Sequence, residues 1–180
     1  SKDPVVVFNI QAGAVTLTDV EVSNCIPTPT SHNASAAVAF INNGATLTIE
    51  GANGKYTNNG TNNFSSFSYY SGCDFSLGTS ASGKDSTLVI NDGLFDNNQG
   101  NHGGLITAFN SSPRGTFNCG TFTNNKCLAD GGVVYADAAV GATITINGGT
   151  FHDNYSARYD GVCGPRPGHT LKVYGGSFYN

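Results

Sequence analysis

Apolar and polar residues alternate over short stretches of the chain. In "ATITINGG" from Ala142, Ile144 and Ile146 alternate with Thr143 and Thr145. A period of two places the isoleucines on one face of a β-strand and the threonines on the other. Stretches of this kind are bounded by Gly, Asn or Asp, and no segment carries the 3.6-residue apolar period of a helix. The pattern predicts short strands with one buried face.

These strands belong to a short sequence motif, called a phrase below, that recurs along the chain. The clear copies are "STLVINDGLFDNN" from Ser86, "RGTFNCGTFTNN" from Arg114, "ATITINGGTFHDN" from Ala142 and "HTLKVYGGSFYN" from His169, with weaker copies from Ala14 and Ala45. Each copy contains one apolar anchor residue, and the anchors are Val22, Tyr56, Phe95, Phe122, Phe151 and Phe178. A second phrase, Gly-Gly followed by aliphatic residues, lies between anchors at Gly103 and Gly131. Each unit therefore contains three predicted strands.

The spacing of the anchors predicts the fold class. Successive anchors are 27 to 39 residues apart, 27 between Phe95 and Phe122 and 39 between Tyr56 and Phe95. A period in this range is typical of a solenoid, in which one unit cannot bury its apolar face alone. Three short strands per coil, stacked at about 4.8 Å, predict an all-β parallel β-helix of about five coils. We expect residues 1–180 to form one domain, uncapped at both ends and therefore a fragment or an assembling subunit.

An asparagine follows most anchors by three residues. These positions are Asn59, Asn98, Asn125 and Asn154, and Asn180, two residues after Phe178, is expected in the same column. In a stacked solenoid they share one register, so we expect an internal column of amides that bond from rung to rung.

The paired phrases resemble the repeat of the polymorphic outer-membrane proteins. The resemblance rests on Phe-x-x-Asn followed by Gly-Gly-aliphatic at residues 95–106 and 122–134, and more weakly at 151–163. It covers about half of the chain well. It implies a right-handed parallel β-helix of the pectate-lyase-like superfamily, whose members include adhesins, surface fibres and enzymes.

Composition restricts the possible functions. Charged residues make up 11% of the 180 residues, with eight Lys plus Arg and a net charge of −4. No basic stripe exists to displace phosphate counterions, so nucleic acid is not an expected partner. The 38% apolar content can fill a core, and the apolar runs are too short to cross a bilayer. Without an initiator Met or a signal peptide, the chain is interpreted as a mature or trimmed product.

The five cysteines and the glycosylation sequons favour an extracellular or cell-surface protein. The cysteines have no metal-binding spacing, so we expect disulfides of undetermined pairing, with at least one thiol left over. No metal or cofactor is predicted. Of the Asn-x-Ser/Thr sequons, Asn33, Asn63 and Asn110 are expected to carry sugar, whereas Asn59 and Asn154 belong to the internal column.

An enzyme of the pectate-lyase-like type would need carboxylates clustered with a cation on one outward face. The candidate residues are His102, Asp130, Arg158 and Asp160, seven to nine residues after their anchors. We favour the alternative that they are solvated turn residues, because polar residues dominate such turns. The Gly-His-Gly and Arg-Ile-Lys phrases of β-helical pectin hydrolases are absent.

Two further features suggest binding. The segment "NNFSSFSYYSG" carries Phe64, Phe67, Tyr69 and Tyr70, which either cover a core edge or form a contact patch for a glycan or partner. Thr-x-Thr recurs at Thr16/Thr18, Thr46/Thr48 and Thr143/Thr145, so an outward hydroxyl array that binds ice is a third hypothesis. Val89, Arg114 and Lys172 interrupt this array, and threonine is also simply a good strand residue.

The sequence thus favours an extracellular structural or adhesive module that associates end to end or through further repeats of the same chain. A carbohydrate-active enzyme or glycan-binding β-helix is the alternative, and ice binding ranks below both.

Overall fold

The computed structural model describes residues 6–27, 35–60, 71–78, 85–108, 112–136, 141–165 and 167–180. These residues contain only strands and turns, and every strand pair is parallel. The chain winds through three long sheets in the same order on each pass and forms a parallel β-helix. The predicted all-β solenoid of about five coils is confirmed.

Three six-stranded sheets form the walls of the solenoid. Sheet A contains β1 (Phe8–Ile10), β4 (Ser35–Ile41), β7 (Ser71–Leu77), β11 (Ile106–Ala108), β15 (Val134–Ala136) and β19 (Cys163–Pro165). Sheet B contains β2 (Ala14–Thr18), β5 (Thr46–Glu50), β8 (Thr87–Ile90), β12 (Arg114–Phe117), β16 (Thr143–Ile146) and β20 (Thr170–Val173). Sheet C contains β3 (Glu21–Ser23), β6 (Lys55–Thr57), β9 (Leu94–Asp96), β13 (Thr121–Thr123), β17 (Thr150–His152) and β21 (Ser177–Tyr179). One passage through sheets A, B and C is called a rung, so the first rung is β1 to β3 and the sixth is β19 to β21.

A fourth sheet was not predicted. Sheet D contains β10 (Gln99–Gly100), β14 (Lys126–Cys127) and β18 (Tyr155–Ser156), in the third to fifth rungs. Each of its strands has two residues, which is too short for an alternating pattern to reveal a strand in the sequence.

The anchor residues stack inside the solenoid. The rings of Tyr56, Phe95, Phe122, Phe151 and Phe178 follow one another with centroids 4.6 to 5.0 Å apart and planes within 8° of parallel. This separation matches the distance of about 4.8 Å between neighbouring strands, so in-register aromatic residues meet face to face. The leucines and isoleucines of the first five sheet B strands, such as Leu88 and Ile144, are buried beside this stack.

An Asn or Asp in the left-handed backbone conformation ends the sheet C strand in each of the first five rungs. These residues are Asn24, Asn58, Asn97, Asn124 and Asp153, with φ between 54° and 58°. Asn and Asp adopt this conformation more readily than other residues with a side chain, because their short polar group bonds locally. The turn aims the next residue into the interior, which explains why the second Asn of an Asn-Asn pair forms the internal column.

Candidate functional site

The internal amide column is continuous from Asn59 to Asn154. The Asn98 backbone N–H and side-chain amide both donate to Asn125 Oδ1, at 3.1 Å each. The Asn125 backbone and side-chain amides donate in the same way to Asn154 Oδ1, at 3.1 and 3.0 Å. Asn125 Nδ2 also donates to the carbonyl of Phe95, the anchor one rung earlier, at 3.0 Å. Each amide therefore ties its own rung to both neighbours, and Asn59, Asn98, Asn125 and Asn154 are all buried. The prediction that Asn180 belongs to this column is wrong: it is exposed, and it follows Phe178 by two residues, which places it opposite the turn residue Asp153.

The first position of this column is a cysteine. Cys25 follows the anchor Val22 by three residues, and its backbone N–H donates to Asn59 Oδ1 at 3.0 Å. Cys25 was not predicted to belong to the column, although its spacing from Val22 equals that of each asparagine from its anchor.

We expect no sugar on the sequon asparagine Asn154. Its side-chain nitrogen donates to the Phe122 carbonyl at 2.9 Å inside the solenoid, so a glycan on that nitrogen would break the column. Glycopeptide mapping of the protein secreted from a eukaryotic host measures the occupancy, and Asn59 serves as the second buried test site. The peptides that contain Asn33, Asn63 and Asn110 are the comparison. A glycan on Asn154 of folded protein would contradict the inward placement of the column.

Sheet A has a covered outer face. The outward residues Phe40, Ser76, Thr107 and Tyr135 are all buried, unlike the outward residues of sheet B. The turn before β11 supplies part of this cover, since the His102 ring lies against the Tyr135 ring with centroids 4.8 Å apart. The Thr107 hydroxyl donates to the carbonyl of His102 and holds the turn against the sheet.

The structure corrects the predicted exposure of two enzyme candidates. His102 and Asp130 were expected in solvated turns, but they are only 9% and 3% exposed. The reason is the tight turn at each Gly-Gly, which folds back over sheet A; the Gly103 N–H donates to the Asp130 carbonyl at 3.1 Å. Arg158 and Asp160 are exposed on the following rung. The four residues therefore do not share one solvent-facing surface.

The outward side chains of sheet B form two columns along the solenoid. One contains Ala14, Thr46, Thr87, Arg114, Thr143 and Thr170, and the other contains Thr16, Thr48, Val89, Thr116, Thr145 and Lys172. Eight of these twelve positions are threonine, so the hydroxyl array is more extensive than the sequence suggested. Thr18, however, lies opposite Glu50 rather than opposite a threonine. The Arg114 side chain does not extend the hydroxyl array but forms an exposed ion pair with Asp85 at 3.5 Å.

The described cysteine side chains are free thiols. Cys25, Cys119, Cys127 and Cys163 form no disulfide, contrary to the expectation of disulfides among them. Burial raises the pKa of Cys127, and burial together with the nearby Asp160 raises the pKa of Cys163 to about 12. Because the thiolate is the reactive form, these two thiols are protonated and unreactive at neutral pH.

Several predicted sites lie outside the described residues. They are the aromatic patch of Phe64, Phe67, Tyr69 and Tyr70 and the sequon asparagines Asn33, Asn63 and Asn110. Among the described side chains, no three His, Cys, Asp or Glu residues gather into a group that could hold a metal ion. In the same part of the chain, no helix has the length and apolar character needed to cross a bilayer.

Comparison with known proteins gives no relative: no family model, no curated protein and no solved structure matches the chain.

Proposed function

We propose that the protein is an extracellular structural or adhesive β-solenoid module, a segment or subunit of a surface fibre or filament. The observation that carries this proposal is the continuity of the interior columns. The stacked rings from Tyr56 to Phe178 and the amides from Asn59 to Asn154 pass through successive rungs without interruption. Each rung is stabilised by its neighbours, so further rungs lengthen the body without changing its cross-section. A body of this kind suits a spacer or a fibre.

The sixth rung supports association with further rungs. Leu171, Val173 and Phe178 are 38%, 50% and 45% exposed, whereas Ile144, Ile146 and Phe151, their partners in register, are each 1% exposed. Apolar side chains and open strand edges together favour pairing with another strand layer. The partner that fits is a further rung of the same repeat, supplied by another copy or by more of the same chain.

The finer assignment to the polymorphic outer-membrane protein type of repeat is part of this proposal. It rests on the alternation of Phe-x-x-Asn and Gly-Gly-aliphatic phrases, of which the first supplies the ring stack and the amide column and the second supplies the turn over sheet A. Repeats of this kind occur in adhesins and surface fibres. The extracellular location rests on the composition and the sequons.

The alternatives have less support from the geometry. An enzyme that acts on a polysaccharide needs accessible carboxylates on one shared surface. Asp130 is buried and Asp160, in the next rung, is exposed, so these two carboxylates do not meet that requirement. Glycan binding by the aromatic segment and ice binding by the threonine columns stay predictions. Turnover of a polysaccharide, or shaping of ice crystals, by the purified protein would favour one of them over a structural role.

We expect the chain to associate through the sixth rung. Its average mass in light scattering after size exclusion should increase with protein concentration, and Val173→Lys should keep it monomeric because it places a charge on the uncovered apolar face. Thr170→Lys is the matched control, since it adds the same charge to the same strand on the outward face. Circular dichroism establishes that both variants are folded. A wild-type chain that stays monomeric at every concentration, or equal association by the two variants, would count against stacking.

A further inference from the structure

Three interior positions of the first three rungs depart from the repeat. On sheet A the residue that precedes Phe8, Ala39, Ile106, Val134 or Cys163 is aliphatic in each of five rungs, namely Val7, Val38, Leu105, Val133 and Val162. In the third rung the corresponding residue, which precedes Phe75, is Asp74. The ring stack consists of phenylalanines except for Tyr56 in the second rung. The amide column begins with Cys25 instead of asparagine.

These three departures meet in one place, which we call the Asp74 cluster: Cys25, Tyr56, Asn59 and Asp74. Asp74 Oδ2 lies 3.5 Å from Asn59 Nδ2, which also donates to the Val22 carbonyl at 3.0 Å. Burial, and secondarily the Asp74 charge, raises the pKa of both Tyr56 and Cys25. The Asp74 charge therefore acts on a phenol and a thiol of the two preceding rungs, and the thiol itself donates to the Ser23 carbonyl at 3.7 Å.

The hydrogen bonding of the cluster is incomplete. Tyr56 and Asp74 are fully buried, yet Tyr56 Oη and Asp74 Oδ1 have no hydrogen-bond partner among the described residues. Buried polar atoms are usually paired, so two unpaired atoms at one site are an exception that needs a physical explanation. Repeat positions that break the local rule without an obvious structural gain are where function is expected.

No cation faces the Asp74 carboxyl among the described residues. On sheet A the residues that precede the partners of Phe75 are Val38 and Leu105, and β10 supplies only Gln99 and Gly100. The titratable groups that reach it are Tyr56 of β6 and Cys25 after β3, both of which are neutral in their protonated forms. As far as the described part of the chain goes, an ionised Asp74 would therefore be a buried charge with no cation beside it, which is strongly destabilising.

We propose that the Asp74 cluster is a proton-dependent switch, which holds the first three rungs together while Asp74 carries its proton and loosens them when Asp74 ionises. A protonated carboxyl is neutral and gains a donor for its neighbours, whereas the carboxylate needs water or a cation. Neither can reach Asp74 unless the rungs around it separate. The first three rungs are thus held together when Asp74 is protonated and separate when it is ionised.

The direction of the pH effect follows from burial. Burial raises the pKa of Asp74 well above its ordinary value of 3.8, and the Asn59 bond opposes this only in part. The folded state then holds the proton at pH values at which the unfolded chain has lost it. The contribution of Asp74 to stability is full below about pH 4 and is lost as the pH rises through its folded-state pKa. Cys25 and Tyr56 act in the same direction at alkaline pH, because their pKa values are raised as well.

Native-state hydrogen exchange over a pH series tests this switch. After correction for the intrinsic rate, the opening equilibrium of amides in β6 and β7 should rise by up to about tenfold per pH unit across the titration of Asp74, while amides in β16 should not show this rise. Asp74→Asn and Asp74→Leu should both abolish the rise, the second because it restores the aliphatic column seen at Leu105. Asp160→Asn, an exposed carboxyl, is the control and should behave as the wild type does.

Two results would overturn the proposal. One is a wild-type opening equilibrium in β6 and β7 that does not depend on pH. The other is a rise within the pH range of the Asp74 titration, below the alkaline range of Cys25 and Tyr56, that persists in either Asp74 variant. Since Asp74→Leu matches the residue of the next rung, a failure of Asp74→Asn to fold would leave the test intact. The association assay on Val173 is independent of this experiment, so either proposal can fail alone.

Discussion

Asn125→Ala is expected to lower the free energy of unfolding by about 3 kcal/mol or more, because it leaves several buried groups unpaired at once. Asn125 Oδ1 accepts from both amides of Asn98, and Asn125 Nδ2 donates to Asn154 Oδ1 and to the Phe95 carbonyl. Alanine offers no replacement for any of these bonds, and the column lies where water cannot reach it. Chemical denaturation of the folded variant measures the loss.

Asn118→Ala is the matched control for this change. Asn118 lies in the same fourth rung and also belongs to a ladder, since it donates to Asn91 Oδ1 at 2.8 Å and accepts from Asn147 at 2.7 Å. That ladder is exposed, so water can replace its bonds and the expected cost is within about 0.5 kcal/mol. Equal losses from the two substitutions would show that burial is not what makes the inner column important.

Gly132→Ala is expected to cost about 3 kcal/mol or more through a backbone collision. A Cβ at this position would lie 2.2 Å from the Gly161 carbonyl oxygen and 3.0 Å from the backbone N and O of Tyr155. All three atoms belong to the next rung, so the substitution can be accommodated only if two rungs separate or shift, which disrupts the parallel pairing between them. Thermal and urea unfolding of the variant measure this cost.

Gly13→Ala distinguishes a collision from a backbone preference. Gly13 has a φ of +76° but no atom within 4 Å of its missing Cβ, so alanine should cost only about 1–2 kcal/mol of conformational strain. If Gly132→Ala lowered the free energy of unfolding by no more than Gly13→Ala does, the close approach of the rungs at the Gly-Gly turn would be wrong. Gly104 repeats the arrangement of Gly132, with its Cβ position 2.1 Å from the Gly132 oxygen.

The strong copies of the repeat allowed the interior of the solenoid to be predicted from the sequence. Alternation in "ATITI" assigns Ile144 and Ile146 to the inside, and the fixed spacing from Phe122 assigns Asn125 to the column. Both assignments are local, because in a solenoid the side-chain period and the register of the repeat determine what each residue faces. The structure places these residues inside.

The weaker copies and the turns could not be interpreted in this way. The second rung has seven residues from Ile49 to Tyr56, whereas the first has five from Leu17 to Val22. Because of these two extra residues, Thr16 pairs with Thr48 and not with Thr46, the first threonine of the corresponding Thr-x-Thr pair. The burial of His102 depends on how a Gly-Gly turn folds back over sheet A, which is a tertiary effect. Asp74 follows an insertion and a register shift within β4 and β7, so nothing in the local sequence marks it as an interior residue.

The proposal of a stacking solenoid is tested most directly by cryo-electron microscopy of the purified chain at rising concentration. It predicts rods of constant width that lengthen with concentration and have a repeat of about 4.8 Å along the long axis, continuous across the sixth rung of each chain. Particles that keep the length of one chain at every concentration, with Leu171, Val173 and Phe178 still in contact with solvent, would contradict it.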